Sequence, residues 1–394
     1  MQNDASLDIG NPVTSALLTH APPPMPPATA RWGASTLEFM AVGGITFALF
    51  PLAWLARARF GLDSSELAVG FAMFQAAHFL NDPHFSVTYL LFYKDWRQRA
   101  FGSEWGLAQR TRYLVAGLLV PTLLVAWAAL ALIGRSAQTL GWMIQLMFLL
   151  VGWHYAKQGF GVLTVLSARR GVRFTADERS VILGHCFAAW AFAWANPARV
   201  AGEFEEKGVV YWGPTHPSWI ELTTGVLLAL STVALSVKLG AKWRREGRLP
   251  LTPLLGFLAT IWFWTIYTGL DPLVRYVIPA LHSIQYLYFV WLMKRNEARA
   301  AEGPPLFGPP VTTRLTALAA SALILGWVLF RGAPSMLDAT LASALRAGHA
   351  GAAQTGLGDT PFFAAFFVVV NIHHYFMDNV IWRRENVATK YLQE

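Results

Sequence analysis

The sequence predicts an all-α polytopic integral membrane protein with about ten transmembrane helices in one bundle. Three observations carry that expectation. Hydrophobic residues make up 55% of the chain and charged residues only 14%, whereas a soluble globular domain carries roughly a quarter charged residues. Apolar runs long enough to cross a bilayer, roughly 20 residues each, recur throughout. The basic residues collect in alternate loops between those runs, the pattern of the positive-inside rule. The net charge of +8 would suit nucleic acid, but no basic stripe or RNA-binding motif accompanies it, and no such partner is expected. The single cysteine, Cys186, excludes an intrachain disulfide and a cysteine-built zinc or iron–sulfur site.

Residues 1–35 are rich in Ala, Pro, Thr and Ser and lack the basic start and cleavage site of a signal peptide. They read as a disordered cytoplasmic tail, and His20 within it has no expected role. The apolar runs follow as Leu37–Leu55, Glu66–Tyr93, Tyr113–Ile133, Leu140–Leu166 and Val181–Trp194. They continue as Trp219–Val237, Leu254–Leu270, Pro272–Met293, Leu315–Phe330 and Pro361–Trp382. None alternates apolar with polar residues, so strands are not expected in them. Residues 36–384 thus form one transmembrane domain, and 385–394 a cytoplasmic C-terminal tail. Basic residues cluster over Lys94–Arg112, Arg169–Arg179, Lys238–Arg248, Lys294–Arg314 and beyond Arg383, which places both termini in the cytoplasm of an inner (cell) membrane. On the opposite side only the stretches 196–218 and 331–360 are sizeable.

Ionisable groups within a bilayer are costly and mark function. The second run contains His78-Phe79-Leu80-Asn81-Asp82-Pro83-His84, and the fourth contains His154, Lys157 and Gln158. The fifth holds His185, the eighth His282 with Gln285, and the tenth His373, His374 and Asp378. Residues three or four apart share a helix face. His78 therefore lies over Asp82, His154 over Gln158, His282 over Gln285 and His374 over Asp378. A metal-bound imidazole donates its other N–H to such an acceptor, though the carboxylates could equally be ligands. Pro83 is expected to kink its helix and so turn His84 toward the same cavity as His78.

Counted from the basic loops at 1.5 Å per residue, His84 and His373 lie ~15 Å deep, His282 ~18 Å, His154 ~20 Å and His78 ~24 Å. The expected metal ligands are therefore His78, His84, His154, His282, His373 and His374. Gln158, Gln285 and His185 are expected to support them from behind. His185, only ~8 Å deep, also reads as an ordinary interhelical hydrogen-bonding residue. Asp82, Asp378 and Lys157 are the candidate catalytic groups, and Lys157 also reads as a snorkelling residue or a partner of either aspartate. Asn81 and Asn371 read as interhelical hydrogen-bonding residues, and His216 and His349 as uninvolved loop residues.

Imidazole and carboxylate without thiolate suit iron, zinc, copper or manganese. One or two non-haem irons, with zinc as the alternative, are the expected cofactor. The leading expectation is an iron-dependent oxidoreductase that oxygenates, hydroxylates or desaturates a hydrophobic lipid, fatty-acyl or carotenoid-like substrate. Its partners would be membrane lipids and, for cycles needing electrons, a separate donor protein, since the chain has no flavin, nicotinamide or cytochrome module. Zinc-dependent lipid hydrolysis, haem ligation and metal- or proton-coupled transport stay open beside it.

His373-His374 and the His78–His84 stretch resemble the boxes of membrane-bound histidine-box oxygenases, the desaturases and hydroxylases. That resemblance implies a non-haem iron centre, although those boxes usually lie at helix ends and hold eight or more histidines. Asp82-Pro83-His84 also faintly resembles the intramembrane histidine motifs of bacterial carotene-cleaving dioxygenases.

Overall fold

The computed structural model describes residues 35–195, 201–267, 271–346 and 356–392. The expectation of a disordered tail therefore falls, except for residue 35, outside the described residues, as do those for His20 and His349. From Glu38 onward the chain forms one unit, and the described residues are predominantly helical.

A wide helical turn at Met40–Gly44 leads through a 60° bend into α1 (Thr46–Phe60). Gly43 takes φ 119° there, a conformation open to a residue without a Cβ. α2 (Leu62–Ala77) and α3 (Asn81–Tyr93) follow, then a short α4 (Trp96–Phe101) and the long α5 (Leu107–Ile133). α6 (Ala137–Arg169) has 33 residues and so runs ~50 Å. It precedes α7 (Ala176–Ala195) and a β-hairpin, β1 (Gly202–Glu206) with β2 (Val209–Gly213), paired antiparallel with Phe204 opposite Tyr211. α8 (Ser218–Glu246), α9 (Leu251–Ile266), α10 (Pro272–Glu302), α11 (Val311–Ser343) and α12 (Pro361–Ile381) complete the helices, and a 3₁₀ turn closes the chain at Val387–Leu392.

Side-chain caps fix the starts of the helices that matter most. Ser136 Oγ accepts the Thr139 N–H at 3.1 Å to open α6. Asp271 accepts the N–H groups of Leu273 and Val274 to open α10 and also pairs with Arg57 at 2.9 Å. The α12 N-terminus is capped from another helix: Asp338 of α11 accepts from Phe362 N at 2.8 Å and Phe363 N at 3.0 Å. Such caps satisfy N–H groups that the helix cannot, each worth about 1 kcal/mol.

α6 is central, with apolar clusters on two sides. One joins it to α5, β2 and α12 through Leu140, Ile144, Tyr211 and Val368. The other joins it to α7, α8 and α9 through Leu163, Ile182, Leu235 and Phe257. α12 packs against both α6 and α3, and α11 packs closely on α3. Ala322 and Gly326, four apart on α11, make that approach possible, because a Cβ at Gly326 would stand 2.7 Å from the Asp82 carbonyl carbon.

Three expectations need correction. By length and composition, three helices among the described residues are apolar enough to cross a membrane: α5, α8 and α11. The bent pair ending in α1 raises the number to four, short of the ten expected. α3 has only 13 residues, and the other histidine-bearing helices carry Lys, Gln, Asn or Asp among their apolar residues, which lowers their mean hydropathy. The second apolar run is not one helix but two. It breaks at residues 78–80, before Pro83, which then sits harmlessly in the first turn of α3. The stretch after α7 holds a hairpin whose Val209 and Tyr211 are buried against α6, where only a loop was expected.

Candidate metal centre

Four helices bring a histidine or carboxylate to one point. α3 supplies His84, α6 His154, α10 His282, and α12 both His374 and Asp378. All five are at most 5% exposed. His84, His154, His374 and Asp378 each offer one ligand atom, and these atoms lie within 4.8 Å of one another, so the group could hold a metal ion.

His374 Nε2 lies 3.3 Å and His154 Nδ1 3.6 Å from the same oxygen, Asp378 Oδ2. His154 Nε2 and His282 Nε2 are 3.0 Å apart, so one of them donates to the other. The ring of His84 lies across those of His282 and His374, with centroids 4.9 and 4.5 Å away. His84 Nε2, His282 Nδ1 and His374 Nδ1 are buried with no hydrogen-bond partner among the described residues. Buried polar atoms are nearly always satisfied, so several unpartnered ring nitrogens in one cluster require an explanation.

The tautomer of His84 follows from its neighbours. Ser283 Oγ donates to Asn81 Oδ1 at 3.0 Å and stands 3.1 Å from His84 Nδ1. A hydroxyl has one proton. With that proton on Asn81, His84 Nδ1–H donates to Ser283, and His84 Nε2 presents its lone pair to the cluster. Asp378 is oriented in a similar way: Tyr286 donates to its Oδ1 at 2.7 Å and is 2.7 Å from Thr88 Oγ1. Aromatic rings wall the cluster, with Tyr155 against His282, Tyr375 against His154 and Phe85 against both His84 and His374.

The other expected site residues stand elsewhere. His78 falls in the break between α2 and α3, where its Nδ1 is 3.1 Å from Gln75 O, and it does not join the cluster. His373 points to a different face of α12. Its Nε2 donates to Ala116 O at 2.9 Å, and its Nδ1 accepts from Tyr89 at 3.0 Å. Asp82 turns to α11, where Arg331 Nε is 3.7 Å from its Oδ2. Lys157 forms no ion pair with either aspartate: those of Asp82 and Asp378 are with Arg331 and with His154 and His374. Gln158 and Gln285 bind each other at 2.6 Å rather than a ring N–H. Gln158 also donates to the His282 carbonyl and Gln285 to Val42 O, so the pair ties α6 and α10 together beneath the cluster. His185 lies apart, 3.2 Å from Ser231 of α8 and beside Phe257 and Trp262. His216 packs on Trp194 at 4.1 Å.

Ser283, Tyr286 and Thr88 belong to the site and were missed by sequence reasoning. A signal existed: Tyr286 follows His282 by one helical turn, and Thr88 follows His84 by one. Hydroxyls are too common in apolar helices for that spacing to single them out.

No known protein family, curated protein or solved structure matches this chain.

Proposed function

We propose that the chain is a membrane protein whose buried cluster binds one non-haem iron and oxidises a hydrophobic lipid, fatty-acyl or carotenoid-like substrate. The observation that carries the metal is the set of buried, unpartnered ring nitrogens around Asp378. Bound metal would relieve their desolvation, and two or more histidines with one carboxylate are the donor set of iron enzymes that use oxygen. Support for the membrane comes from α8. Leu222, Leu230, Val233 and Val237 are each more than 60% exposed along it, an apolar face too large to leave in water. The histidine-bearing helices would then form the interior of the bundle, with both termini cytoplasmic. The kinship with histidine-box oxygenases is part of the same proposal, although of the pair only His374 faces the cluster.

Iron in this donor set would supply oxygen activation. The protein's part is to hold the donors. Ser283 keeps the lone pair of His84 Nε2 directed inward, and Tyr286 holds Asp378 by the oxygen that does not face the histidines. Phe85, Tyr155 and Tyr375 exclude water from around the ion. His282 holds His154 in place through the hydrogen bond between their Nε2 atoms. Any reducing electrons would come from a separate donor protein.

The test is elemental analysis of the detergent-purified protein with its visible spectrum and oxygen uptake. One iron per chain without a Soret band is expected. His374→Ala and His154→Ala should abolish metal retention, and His185→Ala should keep it. Wild-type metal in both of the first two variants sinks the ligand set, and stoichiometric zinc redirects the chemistry to lipid hydrolysis. A second reading, metal- or proton-coupled transport, draws on the helix break at residues 78–80 beside the cluster, since transporters bind ions at broken helices. Metal that exchanges across a proteoliposome membrane, with no oxygen uptake, would establish it instead.

A further inference from the structure

A second feature lies between the basic ends of α3, α10 and the start of α11. A cleft of about 170 Å³ opens there. Its floor is apolar, formed by Leu90 and Leu91 of α3 and Leu318 of α11. Its rim is basic: Lys94, Lys294 and Arg314 surround one carboxylate, Glu297. Lys294 is committed to Glu297 at 2.7 Å and is only 16% exposed. Lys94 is 58% exposed and 3.9 Å from the same carboxylate. Three cations against one anion leave the rim about two charges positive. Burial alone would push the Glu297 carboxyl up, yet Lys294, Lys94 and Arg314 hold it below the ordinary glutamate range, so all three cations act on one spot.

We propose that this cleft binds an anionic membrane lipid, its headgroup on Lys94 and Arg314 and the start of an acyl chain over Leu90, Leu91 and Leu318. The inference rests on the membrane reading above but not on the metal. The apolar floor and basic rim are arranged in the order in which an anionic lipid presents tail and headgroup at a membrane surface. Basic residues at the boundary of apolar helices favour such lipids by about fivefold for each cation near the surface. The lipid does not reach the metal cluster. The leucines of the floor pack on Val87, Tyr286, Val290 and Ala322, which are at most 3% exposed and close off the way to His84. The cleft is therefore a lipid site separate from the oxidation site, on the same layer that holds Tyr286.

The experiment uses the full chain, delipidated in detergent and titrated with phosphatidylglycerol or phosphatidylcholine of matched acyl chains, with bound lipid counted by native mass spectrometry. Phosphatidylglycerol should bind at least tenfold more tightly. The double variant Lys94→Gln/Arg314→Gln should lose at least tenfold of that affinity while its phosphatidylcholine binding stays constant. Leu318→Trp, which fills the cleft, should weaken both. Equal affinity for the two lipids, or a double variant that binds as the wild type does, overturns the proposal. Displacement by inorganic phosphate at equal concentration overturns it too, since the cleft would then be a small-anion site. Metal content and membrane sedimentation of each preparation separate this failure from that of the oxidase reading. The double variant should retain its metal, and a wild-type chain that does not sediment with membranes sinks the membrane reading directly.

Discussion

A single hydroxyl proton decides how His84 faces the cluster. Ser283 can donate to Asn81 or accept from His84, and the arrangement in which it does both leaves Nε2 free for metal. Removing a hydrogen-bond partner behind a metal-bound histidine typically costs ten- to a hundredfold in affinity. Ser283→Ala should therefore weaken iron binding by about that factor without abolishing it. A chelator-competition titration reads the change, and unaltered affinity would mean that His84 binds through another nitrogen or not at all. At this scale the sequence was informative about which helices carry histidine and silent about which ring nitrogen is free. His373 and His374 are neighbours with the same local chemistry. Their separate roles follow from the 100° turn between successive helical residues and from the Ala116 carbonyl waiting on one side.

Among the elements, the junction of α7 with α8 shows how charges are managed beside an apolar helix. Lys242, with a fully buried side chain, donates to Arg173 O at 2.7 Å and to Glu246 at 2.8 Å, and lies 3.4 Å from Glu178. Arg245 reaches Glu178 at 2.8 Å. Burial would push the Glu178 carboxyl up, but Arg245, the Thr175 N–H and Lys242 together hold it below the ordinary glutamate range. A folded-state value below the unfolded one stabilises the protein above the unfolded value, and that contribution is lost as pH falls through the folded value. Thermal stability should therefore decline from about pH 5 downward. Glu178→Gln should lower stability at neutral pH by about 1–3 kcal/mol and make the acid decline shallower. Melting curves from pH 3 to 7 check this, and an unchanged slope in the variant would remove Glu178 from the account. The same scale holds the misread of the second apolar run. Pro83 suggested a kink, but a proline in the first helical turn is at ease, and the break falls ahead of it where α2 ends.

For the whole molecule, the cluster is a junction of helices far apart in sequence. His84, His154 and the His374–Asp378 pair lie on α3, α6 and α12, so one bound ion would cross-link three elements, with His282 of α10 tied to them through His154. A ligand that binds only the folded state stabilises it by about 2.7 kcal/mol at a hundred times its dissociation constant. Stripping the metal with a chelator should lower the melting temperature by several degrees, and added iron should restore it. A chelated protein that melts as before would show that the helices close around Asp378 without an ion. Packing alone already brings them together through the Gln158–Gln285 pair, the Asp338 cap on α12 and the small-residue face of α11 on α3.

The sequence by itself determined the helical class and the helices on which histidine and aspartate would meet. Composition and the absence of alternation are properties of short stretches, legible without a fold. His84, His154, His282, His374 and Asp378 stood out because ionisable groups are rare in apolar helices. Only the tertiary structure decided that His78, Asp82 and His373 turn away and that Ser283, Tyr286 and Thr88 turn in. The turning away of Asp82 and His373 depends on helix rotation and on partners such as Arg331, Tyr89 and Ala116, which lie hundreds of residues away. A side chain's direction is fixed by what packs against its helix, and no local pattern encodes that.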